Sequence, residues 1–215
     1  MNESSILEYY SDRANEYDDI YEISELQTHL KQVEDHLIQV MSNHNVLEVA
    51  CGTGYWTNIM ADTAESVVAS DAGRDVLQVA KSKSDSTDNI GLLQCDAYDP
   101  PTTSDAFSAG FAGDWWSHIP KERLDEFLQM FHSKLNSDAQ ICFIDNMSIV
   151  QHEELYTDEA GNRYEKRELN DGSQHTVLKN FPTENQLREI VGEYGSEIEF
   201  YDFKYFWCLS YRLDP

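Results

Sequence analysis

Glu48, Asp71 and Asp96 are three carboxylates that each stand at or near the end of a short apolar run, and the first is followed by the turn Ala50-Cys51-Gly52-Thr53-Gly54. A carboxylate in a strand covered on both faces loses its hydration and needs a donor or a cation, so Glu48 beside that turn points to a polar ligand group. Gly52 and Gly54 let the backbone bend sharply and let a ligand approach the main chain. Asp71 follows where a mononucleotide-binding half places an acid for the ribose, because a carboxylate accepts from both vicinal hydroxyls at once. Further on, the loop Ala112–Pro120, AGDWWSHIP, carries Asp114 and His118. The near-neutral reference pKa of histidine suits His118 to take a proton from an acceptor hydroxyl or amine, with Asp114 or a tyrosine of the N-terminal segment as substitute. Trp115 and Trp116 offer aromatic faces to a cation.

These side chains need a scaffold that brings them together. Val46, Leu47 and Val49 run on through Ala50 and Cys51 as a near-continuous apolar strand that stops at the glycine turn, after which Trp56, Ile59 and Met60 continue a helix. Ser66–Ser70, a β-branched run ending at Asp71, then completes a right-handed parallel unit. Gly91–Cys95, Ala106–Phe111 and Gln140–Asp145 are the third, fourth and fifth strands, and Leu124, Phe127, Leu128, Phe131 and Leu135 form a helix face before the last. Ligands of such sheets bind in the crevice beyond the carboxyl ends of the strands, so the acids share one crevice. Ser24 with Gln27 and Thr183 with Gln186 are capping-box patterns ahead of two further helices. Ile198–Phe203 and Tyr205–Tyr211 read as two closing strands. Between 147 and 180 the pattern turns polar, with Gly161 and Gly172 in turn contexts. A strand pair or cap beside the crevice is predicted there, with Tyr156, Arg163, Tyr164 and Arg167 as candidates for acceptor recognition; an exposed hairpin of solvated charges is the alternative.

At 215 residues the chain is expected to form a single domain spanning 1–215. Its 40 acidic against 15 basic residues give a net charge of −25, which repels nucleic acid and acidic membranes and leaves a small-molecule partner. Four scattered cysteines with no C-x-x-C pair suggest neither zinc nor a redox couple, and no metal site is expected. Without a signal-peptide core or a long apolar run, a cytoplasmic monomer or homodimer is expected.

The fragment E-x-A-C-G-T-G at Glu48–Gly54 resembles the first motif of class I S-adenosylmethionine (SAM)-dependent methyltransferases, [ED]-x-G-x-G-x-G, with Ala50 at the first glycine. The opening Tyr9–Tyr21, YYSDRANEYDDIY, is similar to the YY-x-x-R-A-x-x-Y-D-x-x-Y start of many small-molecule members, a lid over residues 1–23. The resemblance implies an α/β fold, a Rossmann-like three-layer sandwich with a seven-stranded mixed sheet of order 3-2-1-4-5-7-6 and one antiparallel strand from the last hairpin. It implies SAM as cofactor, S-adenosylhomocysteine (SAH) as product, and transfer to an oxygen, nitrogen or carbon atom of a small molecule. Cofactor contacts are then expected from Arg13, Tyr17, Glu48, Ala50, Cys51, Gly52, Thr53, Gly54, Trp56, Asp71, Ala72, Asp96, Ala97, Ala112 and Gly113. Asp96 accepts from the adenine amino group, and Tyr9 joins His118 and Asp114 near the acceptor. Three alternatives stay open. An NAD(P)-dependent oxidoreductase fits the glycine loop and Asp71 but has Thr57 where a dinucleotide fold prefers a third glycine. A SAM-binding protein without turnover is the second, and a magnesium-dependent enzyme using Asp114, Asp145 and Asn146 the third.

Overall fold

Strands and helices alternate as the apolar runs require. In the computed structural model, which describes residues 17–84, 86–100, 107–147 and 154–215, a 3-10 helix at Tyr17–Glu22 leads into α1 (Gln27–Met41). Then follow β1 (Asn45–Val49), α2 (Tyr55–Ala61), β2 (Ser66–Asp71), α3 (Arg74–Ser84), β3 (Ile90–Gln94) and β4 (Ala109–Gly113). The chain continues through α4 (Leu124–His132), β5 (Gln140–Asn146), a small excursion of β6 (Glu154–Thr157), β7 (Arg163–Glu168) and β8 (Gln174–Leu178), and α5 (Glu184–Val191). It closes with β9 (Gly195–Asp202) and β10 (Phe206–Leu213).

The main sheet has the order β3-β2-β1-β4-β5-β10-β9, with β10 antiparallel to both neighbours. This is the expected order, the last hairpin being β9 and β10 because the cap strands intervene. Alternate residues of the central strands feed two apolar layers. Val46, Cys142, Ile144 and Cys208 pack on the face of α1 and α2, whereas Leu47, Val49, Phe143 and Leu209 pack on that of α4 and α5. β4 lies further along the chain than the expected Ala106–Phe111, because its glycines belong to the strand. A Cβ on Gly110 would sit 2.7 Å from Phe131 and Leu135, so glycine there lets the helix side approach.

The two capping boxes part company. Thr183 accepts from the Gln186 amide at 3.3 Å while the Gln186 side chain accepts from the Thr183 N–H at 2.9 Å. Ser24 does not cap α1, a correction to the expected box. Gln27 Nε2 instead donates to the Tyr21 carbonyl at 2.6 Å, and the helix starts without a side-chain cap. The 147–180 region also differs from a strand pair. It holds three antiparallel strands in the order β6-β7-β8, turned at Gly161 and Gly172, both at positive φ.

Candidate active site

The turn after β1 is bent by three left-handed residues, Ala50 (φ 54°), Gly52 (φ 54°) and Gly54 (φ 77°). Gly54 needs its missing side chain, since a Cβ would stand 3.1 Å from the Ala80 Cβ of α3. Ala50 holds the same conformation with a Cβ, where L-residues are strained. Buried Cys51 donates its N–H to the Ser70 carbonyl at 2.9 Å, fixing the turn to β2. Gly52 N–H then donates to Asp71 Oδ2 at 2.9 Å, and Gly73 N–H to Oδ1 at 2.7 Å. Burial pushes the Asp71 carboxyl up while those amides pull it down. Each oxygen keeps lone pairs for further donors. Ala72 beside it is half-buried and accepts from Gln94 Nε2 at 3.0 Å.

Glu48 and Asp96 each have a protein partner of their own. Glu48 is fully buried inside β1 and accepts from the Thr57 hydroxyl of α2 at 2.6 Å, so its partner belongs to the protein and it braces the turn from behind. Burial pushes its pKa up to about 8, with Asp71 adding to the rise and the Thr57 bond opposing it. Asp96 is exposed and accepts from the Tyr98 N–H at 2.9 Å, while Ala97 is buried beside it. The Arg123 guanidinium lies 3.7 Å from the Tyr98 ring centre.

The N-terminal segment reaches the turn through its described end. Thr53 donates to Asp18 at 2.7 Å, Lys83 pairs with the same carboxylate, and Tyr21 stacks on Tyr55 at 3.7 Å. Tyr9 and Arg13 lie outside the described residues, as does the side chain of Tyr17.

Beyond β4 the site is held by side chains. Asp114, left-handed at φ 54°, accepts from Tyr21 (2.8 Å), Trp56 Nε1 (3.2 Å) and Asn146 Nδ2 (2.6 Å). Ala112 is buried in the strand, and Gly113 is obligatory because a Cβ there would meet Trp56 at 2.5 Å. Burial and the neighbouring Asp145 push the Asp114 carboxyl up. Asp145, at the end of β5, accepts from Lys179 Nζ (2.9 Å) and from the amides of Ser117 (2.8 Å) and Asn146 (2.7 Å). Burial opposes its charge, but Lys179 and the Ser117 amide hold its pKa below the usual value. Both carboxylates proposed for a magnesium ion are thus engaged by protein donors.

His118 is buried and its Nδ1 donates to the Leu178 carbonyl at 2.7 Å. Burial, then the charge of Lys179, lowers its pKa to about 3. The imidazole is therefore neutral through the physiological range and a weaker proton acceptor than histidine's reference pKa alone implies.

The small sheet is tied to the loop after β4 and to the end of β5. Lys179 also donates to Ser117 Oγ at 2.6 Å, Asn180 N–H to the Ser117 carbonyl at 2.8 Å, and Lys121 N–H to Asn162 Oδ1 at 2.9 Å. Arg163, Glu165 and Arg167 alternate along β7, with Glu165 fully buried between the guanidiniums at 3.1 and 2.6 Å. Arg167 stands opposite His175 and close enough to His118 for its charge to depress the imidazole. Its Nε is buried without a hydrogen-bond partner. Tyr156 and Tyr164 instead stack on each other at 4.6 Å, Tyr156 being exposed. Lys179 and Asn180 were missed in the sequence, where a lone Lys-Asn after Val177-Leu178 carries little signal.

The turn, Asp71 and a second orphaned donor, the buried Trp115 Nε1, fit a nucleoside-bearing cofactor at the strand tips. The comparisons agree. The methyltransferase-domain family matches residues 46–138. Among solved structures, the DhpI–SAM–HEP complex superposes with a TM-score of 0.80 at 25% identity, over 97% of this chain and 96% of its own. The DhpI–SAH complex gives 0.76 at 26%, over 99% and 97%. The PH0226 protein from Pyrococcus horikoshii OT3 shares the fold, with a TM-score of 0.71 at 16% identity over 89% and 92%. No curated protein matches.

Proposed function

We infer that this chain is a class I SAM-dependent methyltransferase, and on that premise propose that its acceptor is a small anion held between the strand tips and the three-stranded cap. The observation that carries the reading is a pair of basic side chains in an acidic protein. The chain bears a net charge of −25, yet Arg167 of β7 and Lys179 just after β8 both lie near enough to His118 for their charges to act on it, each paired with one buried carboxylate, Glu165 or Asp145, and Arg167 Nε is buried and unsatisfied. A guanidinium donor left without a partner costs free energy that an oxyanion recovers, and Arg forks match carboxylate and phosphate-like groups. The ternary DhpI–SAM–HEP complex supports a fold that takes a further component together with the cofactor.

SAM supplies an electrophilic methyl on a sulfonium. In this reading Asp71 accepts from the ribose hydroxyls, Asp96 from the adenine amino group, and Trp115 Nε1 donates to the bound ligands. The turn at Ala50–Gly54 with Ala72, Ala97, Ala112 and Gly113 forms the cofactor walls, and Tyr21 and Trp56 exclude water beside them. Glu48 and Thr57 keep the turn in place. Arg167 and Lys179 orient the acceptor for in-line attack. Holding nucleophile and methyl in register contributes roughly 7–11 kcal/mol in favourable systems, so little proton chemistry is required. An acceptor oxygen that arrives ionised needs no base, which suits a neutral His118 that positions the cap through Leu178.

The same charge disfavours nucleic acid as acceptor, and no described helix is long and apolar enough to cross a membrane. We read 1–215 as one catalytic unit, a monomer or homodimer working in the cytoplasm, with 147–180 as its cap.

Incubation with methyl-labelled SAM and paired panels of small acids and their neutral analogues tests this. Label is expected in carboxylate, phosphate or phosphonate acceptors, with stoichiometric SAH. Arg167→Gln is expected to raise the acceptor KM by about 10–100-fold at unchanged SAM affinity. Preferential labelling of the neutral analogues, or an unchanged KM in the variant, overturns the anionic acceptor.

A further inference from the structure

Away from the crevice, Cys142 of β5 and Cys208 of β10 lie on the sheet face beneath α1 with their sulfurs 3.4 Å apart. Cys208 stands opposite Ile144 and Cys142 opposite Ser210, so the thiols are diagonal neighbours across one antiparallel ladder. Their separation is set by the sheet and not by a mobile loop. A disulfide needs about 2.05 Å between sulfurs, which diagonal neighbours of a ladder reach only when the backbone of the two strands shifts together with the side chains.

His36 of α1 reaches over the pair. Its ring lies 4.3 Å from that of Tyr201 and 6.0 Å from that of Phe203, its Nε2 is buried without a hydrogen-bond partner, and the imidazole interacts with the Cys208 thiol. Tyr201 is exposed and His36 half-buried. The cover between Cys208 and solvent is therefore made of side chains from an edge strand and a helix flank.

We propose that Cys142 and Cys208 are an oxidation site in which a hydroperoxide converts the buried pair to a reversible disulfide, with His36 as the base for Cys208. His36 takes the thiol proton, and the Cys208 thiolate attacks one peroxide oxygen. The S–O bond forms as the O–O bond breaks, and the departing hydroxide takes the proton back from the imidazolium to leave as water. Cys142 then attacks the sulfenic sulfur. The S–S bond forms, the S–O bond breaks, and the Cys142 proton leaves with the hydroxyl as a second water. Two thiols lose two electrons to one peroxide.

The division of labour follows from the surroundings. Cys142 and His36 draw the Cys208 thiol down, whereas burial pushes Cys142 up, so Cys208 attacks and Cys142 resolves. Cys51 and Cys95 are both pushed up, by burial first and then by nearby acids, and serve as internal controls. The site is separate from methyl transfer.

The experiment uses the whole reduced protein, exposed to hydrogen peroxide, quenched, denatured, alkylated and digested without reductant. The expected product joins the Cys142 and Cys208 peptides, leaves Cys51 and Cys95 alkylated, and reverts with dithiothreitol. In Cys142→Ser, a dimedone adduct is expected on Cys208, and His36→Asn is expected to slow bridging of the wild-type pair by about tenfold. Alkylation of both Cys142 and Cys208 after peroxide treatment of the wild-type protein overturns the site, as does a bridge to Cys51 or Cys95. An unchanged rate in His36→Asn overturns the role of the histidine.

Discussion

The two halves of the crevice are built by different means. At the tips of β1 to β3, backbone makes the site: three left-handed residues bend the turn, and amides of Gly52 and Gly73 fix Asp71. At the tips of β4 and β5, side chains make it, through Lys179 with Asp145 and Ser117 and through Asn180 with the Ser117 carbonyl. A backbone-built half is rigid by the local geometry of its own few residues. A side-chain-built half depends on partners distant in the chain, and each buried charge there is costly if its partner goes.

Lys179→Met breaks the comparison most severely. It leaves Asp145 buried and unpaired, and a loss of about 3–5 kcal/mol is expected in urea unfolding, with the cap losing hydrogen-exchange protection before the β1–β3 half. Uniform protection loss, or none, shows that the halves are not separately supported.

Glu48 tests the other half by pH. As an acid whose folded pKa lies near 8 against an ordinary 4.5, it binds a proton in the native state that the unfolded chain has already released. Its contribution is present at low pH and lost as pH rises from about 4.5 to about 8. Glu48→Gln is expected to remove that decline and gain of order 2–4 kcal/mol at pH 8.5, read as a rise in Tm over the wild-type protein. A variant with the same slope of stability against pH refutes the buried, protonated state.

Asp71→Asn sharpens the division between halves. Loss of the charged acceptor is expected to weaken SAM binding by about 1.5–3 kcal/mol in calorimetry while acceptor KM stays within error. Equal effects on both ligands argue that the halves are coupled. Ala50→Gly is the smallest change, relieving a left-handed L-residue at some cost in unfolded-state entropy, for a net gain of about 0.5 kcal/mol in urea unfolding. A measured loss places no strain at Ala50.

The same contrast governs what could be read ahead of the coordinates. The closing hairpin, the Thr183 cap and the turn with Asp71 follow from short-range spacing, the sheet order was implied by the family resemblance, and all are present. Ser24 failed because Gln27 found a better acceptor in the Tyr21 carbonyl, a choice made by the fold around it. Glu48 lies on the expected strand but spends its carboxylate on Thr57, and His118 lies in the expected loop without the expected basicity. In both, burial decided what the residue type left open.

By itself the sequence determined the periodicities that make the parallel sheet, the glycines that bend its first turn, and the acids placed at strand ends. These are properties of neighbouring residues, for which φ/ψ preference and apolar spacing suffice. Only the tertiary structure decided that Arg163 and Arg167 of β7 enclose the buried Glu165, that Lys179 pairs with Asp145, that His118 is neutral, and that Cys142 meets Cys208. Those depend on desolvation and on contacts between residues far apart in the chain, and neither is written in local spacing.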